Sequence, residues 1–147
     1  MRHRLDSEIH IAAPPAIVWE ILTDLDAYED WNPHILGSSG TVAVGERLTN
    51  RMHRGGGKTT TFRPTVTEVE PERVFEWLGR LGIPGIFDGR HRFELHPTET
   101  GTRFVQQEFF SGILVRPLRK SLDTGTLGGF EAVNQAIKER AEARVTG

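Results

Sequence analysis

The stretch Ile11–Pro33, IAAPPAIVWEILTDLDAYEDWNP, decides how the rest of the chain is read. Leu5, Ile9 and Ile11 alternate with polar residues before it, which predicts a first strand over 4–12. Pro14 and Pro15 stop that strand and open a helix, because a proline's missing N–H lacks a partner in the first turn anyway. Ile17, Val18, Ile21 and Leu22 then fall on one helix face, with Trp19 flanking it. Leu25 and Tyr28, three apart, predict a second short helix over 24–30, ended by Asn32-Pro33.

Beyond Pro33 the hydrophobic period changes to two. A strand over 46–53 carries Leu48, Asn50 and Met52 on one face, and Gly55-Gly56-Gly57 fits the hairpin turn after it. Phe62, Pro64 and Val66 alternate with Arg63, Thr65 and Thr67, and a proline there implies an edge position or a bulge. Phe75, Trp77 and Gly79 share a face of the next strand. Phe87, Gly89, His91, Phe93 and Leu95 share a face of another. After a turn at Pro97–Gly101, the last strand carries Phe104, Gln106, Glu108 and Phe110 on one face.

Helical spacing returns over 114–144. Leu118, Leu122, Val133 and Ile137 form one stripe, and Lys120, Glu131, Lys138 and Glu142 lie opposite. Gly125, Gly128 and Gly129 interrupt the pattern, each at about 1 kcal/mol relative to alanine. Gly129 falls within the apolar stripe, which suggests empty volume between helix and sheet. The alternative is a helix break over 123–129.

Composition sets the frame. The chain has 147 residues, 37% hydrophobic and 26% charged, with a formal charge of −2. That suits one domain over 1–147 and offers no basic stripe for nucleic acid. There is no cysteine, so thiolate chemistry is excluded. No apolar run reaches the about 20 residues of a membrane span, and the N-terminus lacks the apolar core of a secretory signal. A cytoplasmic location is the expectation.

Strand, two short helices, a curved antiparallel sheet and a long terminal helix make an α+β helix-grip arrangement, with the sheet wrapped around the C-terminal helix. Ala13–Pro33 resembles the opening of the START-like, or SRPBCC, superfamily in its polyketide cyclase/dehydrase-like branch. Further stretches similar to that branch are FRPTVTEVEPERVFEWLG (62–79), IFDGRHRFEL (86–95), GTRFVQQEFFSGIL (101–114) and GFEAVNQAIKERAE (129–142). The resemblance implies a cavity between sheet and helix that takes an apolar or aromatic small molecule, with lipids among the family's ligands. No cofactor is expected. The superfamily also holds cyclases and Hsp90 co-chaperones.

If the apolar face of each strand looks inward, the polar residues on that face are Asn50, His91, Gln106 and Glu108. Buried polar groups need partners. The short turn at Pro97–Gly101 and the face parity put His91 opposite Gln106 or Glu108. A His-Glu pair shifts each partner's pKa and can move protons, so His91 and Glu108 are the catalytic candidates. Phe62, Trp77, Phe87, Phe93, Phe110, Leu122 and Gly129 are the apolar candidates for ligand contact, and Phe75 and Phe104 belong to the same aromatic set. The loop 82–89 is a candidate lid. Trp31-Asn32 either closes one end of the cavity or anchors a turn.

Six histidines form no HxxxH or HExxH pair, so no metal site is expected. His3, His10, His34 and His96 read as surface or edge residues, and Arg90 and Arg92 as an outward face. Arg116, Arg119 and Lys120 read as a solvated helix start that can also draw an acidic ligand. Three functions follow. The first is binding of an apolar or aromatic molecule, with Asn50, His91, Gln106 and Glu108 orienting its polar groups. The second is a cyclase or dehydratase in which His91 or Glu108 takes a proton and Gln106 or Asn50 holds the oxyanion. The third is an Hsp90 co-chaperone-like protein-binding module, which requires a large exposed apolar patch.

Overall fold

The first strand, β1 (Arg2–Ile11), runs straight into Pro14-Pro15, and α1 (Pro15–Thr23) starts with that proline in its first turn. The structure is a computed structural model that describes residues 2–55, 57–80 and 83–146, without the side chains of 53, 54, 121, 122 and 124. Val18, Ile21 and Leu22 are the buried face of α1. The predicted second helix is one 3₁₀ turn (Leu25–Ala27) followed by one α turn, α2 (Tyr28–Trp31). Asn32 ends it: its Oδ1 accepts from the amides of His34 (2.9 Å) and Ile35 (2.8 Å). Trp31-Asn32 therefore anchors a turn.

Among the described residues there are eight strands. They are β1, β2 (Ile35–Ser39), β3 (Thr49–Gly55), β4 (Lys58–Phe62), β5 (Thr65–Glu70), β6 (Val74–Arg80), β7 (Asp88–Thr98) and β8 (Gly101–Ser111). All pairings are antiparallel, in the orders β1-β8-β7-β6-β5 and β2-β3-β4. A bridge between Arg47 and Thr65, with Leu48 N–H donating to the Pro64 carbonyl at 2.9 Å, joins the two sets into one bent surface. The single strand expected through Phe62, Pro64 and Val66 is corrected here. It divides at Arg63-Pro64, and its two halves pair in different sets. Proline has no N–H for a ladder, so the chain changes partner where the ladder is already interrupted. At the β3–β4 turn, Gly57 takes φ 76°, as the glycine run suggested.

The C-terminal helix is neither straight nor broken. It runs as α3 (Val115–Ser121), a π turn (Leu122–Thr126) and α4 (Leu127–Thr146). The wider turn offsets the faces of α3 and α4. Leu118, expected on the buried stripe, is accordingly 39% exposed, whereas Phe130, Val133, Ile137 and Ala141 of α4 are buried. The polar side of α4 also has a task. Lys138 Nζ donates to the His10 carbonyl (3.0 Å), and the Ala12 amide donates to Glu142 (2.8 Å). These contacts satisfy the end of edge strand β1 and fix the helix across the concave face. The helix-grip architecture is thus present. Among the described residues, no helix is long and apolar enough to cross a membrane.

Candidate functional site

The buried apolar residues form two clusters. The larger gathers Phe75, Trp77, Phe93, Phe104 and Ile137 with the α1 face. The smaller holds Leu5, Phe110, Val115 and Phe130, with Phe87 and Leu127 beside it. His91 and Gln106 lie in the seam between them. His91 touches both sides: its ring stacks on Phe93 at 4.4 Å and lies 4.7 Å from Phe130 and 5.3 Å from Trp77.

Strand register brings the polar group together. His91 pairs directly with Glu108, and Phe93 pairs with Gln106. His91 Nε2 lies 2.9 Å from Gln106 Oε1. The Gln106 amide donates from Nε2 to the Phe130 carbonyl (3.1 Å) and to Asn134 Oδ1 (2.7 Å). Asn134 Nδ2 donates onward to Ser7 Oγ (3.0 Å). Because Nε2 of Gln106 has two acceptors, its oxygen must face His91. That oxygen accepts, so His91 carries its proton on Nε2. Nδ1 keeps its lone pair and faces Glu108 Oε2 at 3.6 Å.

Burial dominates the electrostatics. It pushes His91 down to about 3, against the opposing effect of the Gln106 hydrogen bond and reinforced by His34. It pushes Glu108 up to about 8. The expected mutual shift of the pair is corrected: desolvation moves both groups, each toward its neutral form. Near pH 7 the two face each other as a neutral imidazole and a carboxylic acid, not as an ion pair.

Among the buried side-chain atoms of the described residues without a hydrogen-bond partner are Glu108 Oε2 and, on β3, Asn50 Nδ2. Asn50 is fully buried, and its Oδ1 accepts from Ser38 Oγ at 2.5 Å. Around Glu108 the inner face carries two glycines in place of side chains. Gly79 and Gly89 are cross-strand partners. A Cβ at Gly79 would meet the Phe62 ring at 3.5 Å and the Gly89 carbonyl at 3.9 Å, both ordinary contacts. A Cβ at Gly89 would meet Glu108 and Phe110 at 3.6 Å. Phe87 closes over Phe110 with ring centres 5.5 Å apart.

The remaining candidates are placed as follows. Trp77 and Phe93 are buried and pack edge-on at 5.3 Å, so with Phe75 and Phe104 they fill the middle of the fold. Gly129 does not leave empty volume. The His34 ring sits 2.9 Å from where its Cβ would be. Of the histidines read as surface or edge residues, His3 is on edge strand β1 and His34 beside β2; both are partly buried toward the helix, and His3 Nε2 lies 2.6 Å from Asp123 Oδ1 in the π turn. The Leu122 side chain, and Gly82 of the proposed lid, lie outside the described residues. Arg92 does point outward, but into a carboxylate cluster of Glu94, Glu68 and Glu76 at 2.6, 2.8 and 3.0 Å.

Sequence reasoning missed Asn134 and Ser7. Both were within reach of it. Asn134 is in phase with Phe130, Ile137 and Ala141 on the buried stripe, and Ser7 shares the inward parity of Leu5 and Ile9.

The family model described as "Polyketide cyclase / dehydrase and lipid transport" matches residues 2–142. No curated protein matches the chain. Among solved structures, the Zhui aromatase/cyclase from Streptomyces sp. R1128 is 18% identical with a TM-score of 0.80, covering 99% of this chain and 96% of its own. Protein MLL2253 from Mesorhizobium loti is 24% identical with a TM-score of 0.73, covering 93% and 95%. The di-domain ARO/CYC StfQ from the steffimycin biosynthetic pathway is 13% identical with a TM-score of 0.83. This chain is covered in full and spans 53% of that one. At these identities the likeness is one of fold.

Proposed function

Because the chain belongs to the polyketide cyclase/dehydrase and lipid transport family, which supports a ligand-binding or cyclase-type function, we propose that it binds an apolar or aromatic small molecule carrying an oxygen. The binding place is the glycine stretch of the inner face at Gly79 and Gly89, walled by Phe62, Phe87 and Phe110. The observation that carries this reading is Glu108 Oε2, buried with no partner at the edge of that face. An unmet buried polar group costs about 1–3 kcal/mol. A ligand oxygen beside the carboxylic acid recovers that cost, and the rings supply the apolar contact. Asn50 Nδ2 offers a second unpartnered donor. Trp77 and Phe93 back His91 and meet a ligand only through it.

A catalytic version of the same site gives the proton to Glu108, which holds it near neutral pH. His91, pushed down to about 3, is a weak base and serves to orient.

Native mass spectrometry of the purified protein tests the binding reading. The expected result is a bound small molecule that denaturation removes and that Glu108→Leu loses while keeping a native circular dichroism spectrum. A ligand retained equally by Glu108→Leu overturns the assignment to this carboxyl. For the catalytic version, Glu108→Gln abolishes turnover and spares binding. Loss of both together rejects it.

A further inference from the structure

The outer face of the large sheet is charged unevenly along its strands. Two cross-strand rows lie nearest the loops 83–87 and 111–114. One is Arg2, Ser111, Asp88, Arg80; the next is Arg4, Phe109, Arg90, Leu78. Those rows hold four exposed arginines and one acid of their own, Asp88; Arg80 pairs with that acid at 3.6 Å, while Arg4 reaches Asp6 at 2.8 Å and Arg90 reaches Glu76 at 3.8 Å in the next row. The following rows reverse the balance: Asp6, Glu76, Glu8 and Glu94 stand against Arg92. The exposed residues Arg116, Arg119 and Lys120 of α3 add basic charge at the same loop end, with Asp123 as a further acid.

Large apolar side chains are exposed at that end as well. Ile83 and Ile113 are each 69% exposed, Leu118 39% and Phe109 36%. The Ile113 amide donates to the Gly85 carbonyl (3.1 Å) and the Leu114 amide to that of Ile86 (3.0 Å), so the two loops form one tip. Arg4 lies over the Phe109 ring at 5.8 Å. Isoleucines at a loop tip ringed by arginines suit neither plain solvent nor a purely polar partner. They match the two layers of an anionic bilayer surface, where apolar tips enter the acyl boundary and basic residues meet the head groups.

We propose that this tip, with the two basic rows and α3, docks the protein on an anionic lipid surface. Loop 83–87 also carries Phe87 to the glycine face at Gly89, so a docked protein turns the proposed ligand mouth toward the bilayer. Only that last consequence rests on the ligand reading; the docking surface stands on charge and exposure.

The test is co-sedimentation of the whole chain, without added ligand, with vesicles of phosphatidylcholine alone and of phosphatidylcholine mixed with phosphatidylserine. The expected result is binding to the mixed vesicles at low salt, release at high salt, and about tenfold or greater weakening in Arg4→Glu/Arg90→Glu. Ile83→Ser/Ile113→Ser also weakens binding, whereas Val145→Ser, on an exposed residue at the opposite end, leaves it unchanged. All five positions of the test variants are on the surface, so native circular dichroism is expected throughout. Absence of binding, equal binding to neutral vesicles, or unchanged binding by the arginine variant overturns the proposal. So does sedimentation without vesicles through self-association that the isoleucine variant removes.

Discussion

His91 on β7 and Glu108 on β8 stand directly opposite each other, with Nδ1 and Oε2 3.6 Å apart, and both are held neutral by burial. An inward His-Glu pair in this setting is a hydrogen-bonding surface and not a salt bridge. Its stability signature has a defined sign. Glu108 is raised from 4.5 to about 8 on folding, so its contribution is full below pH 4.5 and is lost as pH rises through 8. His91 is lowered from 6.5 to about 3, so its contribution is full above pH 6.5 and is lost as pH falls through 3. Between 4.5 and 6.5 the two slopes oppose one another.

Above pH 6.5 only the Glu108 slope remains. Stability therefore falls between pH 6.5 and 8.5, by up to about 2 kcal/mol. Glu108→Gln removes this decline. Urea midpoints at the two pH values measure it, and a wild-type midpoint that does not move contradicts the buried neutral carboxyl.

Gln106 holds the seam together through three bonds, to His91, Phe130 and Asn134. Gln106→Leu keeps the approximate volume and orphans all three partners. The expected loss is about 2–4 kcal/mol, seen as a lower denaturation midpoint with an unchanged slope. Asn134→Leu made in the same background should cost less than it does alone, since its partner is already gone.

Two helix glycines should respond oppositely to alanine. At Gly125 an added Cβ meets nothing within 4 Å, so Gly125→Ala raises stability by up to about 1 kcal/mol. At Gly129 the Cβ would press on the His34 ring at 2.9 Å. Gly129→Ala is therefore expected to destabilise by about 1–3 kcal/mol despite alanine's better propensity. Thermal unfolding of both variants decides it, and equal gains at both positions would show that the His34 ring yields freely.

The fold was largely legible because its signals are local. Pro15 at the helix start and the two-residue alternation from Phe75 to Phe110 are set by neighbouring residues. β2 escaped notice: in ILGSS only Ile35 is apolar and buried, so no alternation exists to be read. The inward placement of Asn50, His91, Gln106 and Glu108 followed from parity alone. Their chemistry did not. Whether a buried histidine and glutamate charge one another or both go neutral depends on the depth of the site and the third partner, Gln106. Gly129 misled for a related reason. A missing side chain reads as space, but His34, distant in sequence, had taken it.

The central claim is that an apolar or aromatic small molecule carrying an oxygen settles on the glycine face beside Glu108. The most direct measurement is a titration of the isotopically labelled protein with 2-naphthol, followed by amide chemical shifts. The account predicts saturable shifts centred on Gly79, Phe87, Gly89 and Glu108, suppressed when Gly79→Leu occupies that face. Shifts centred instead on the groove between α1 and α4 at Glu20, Trp31 and Arg140, or unaffected by Gly79→Leu, would contradict it.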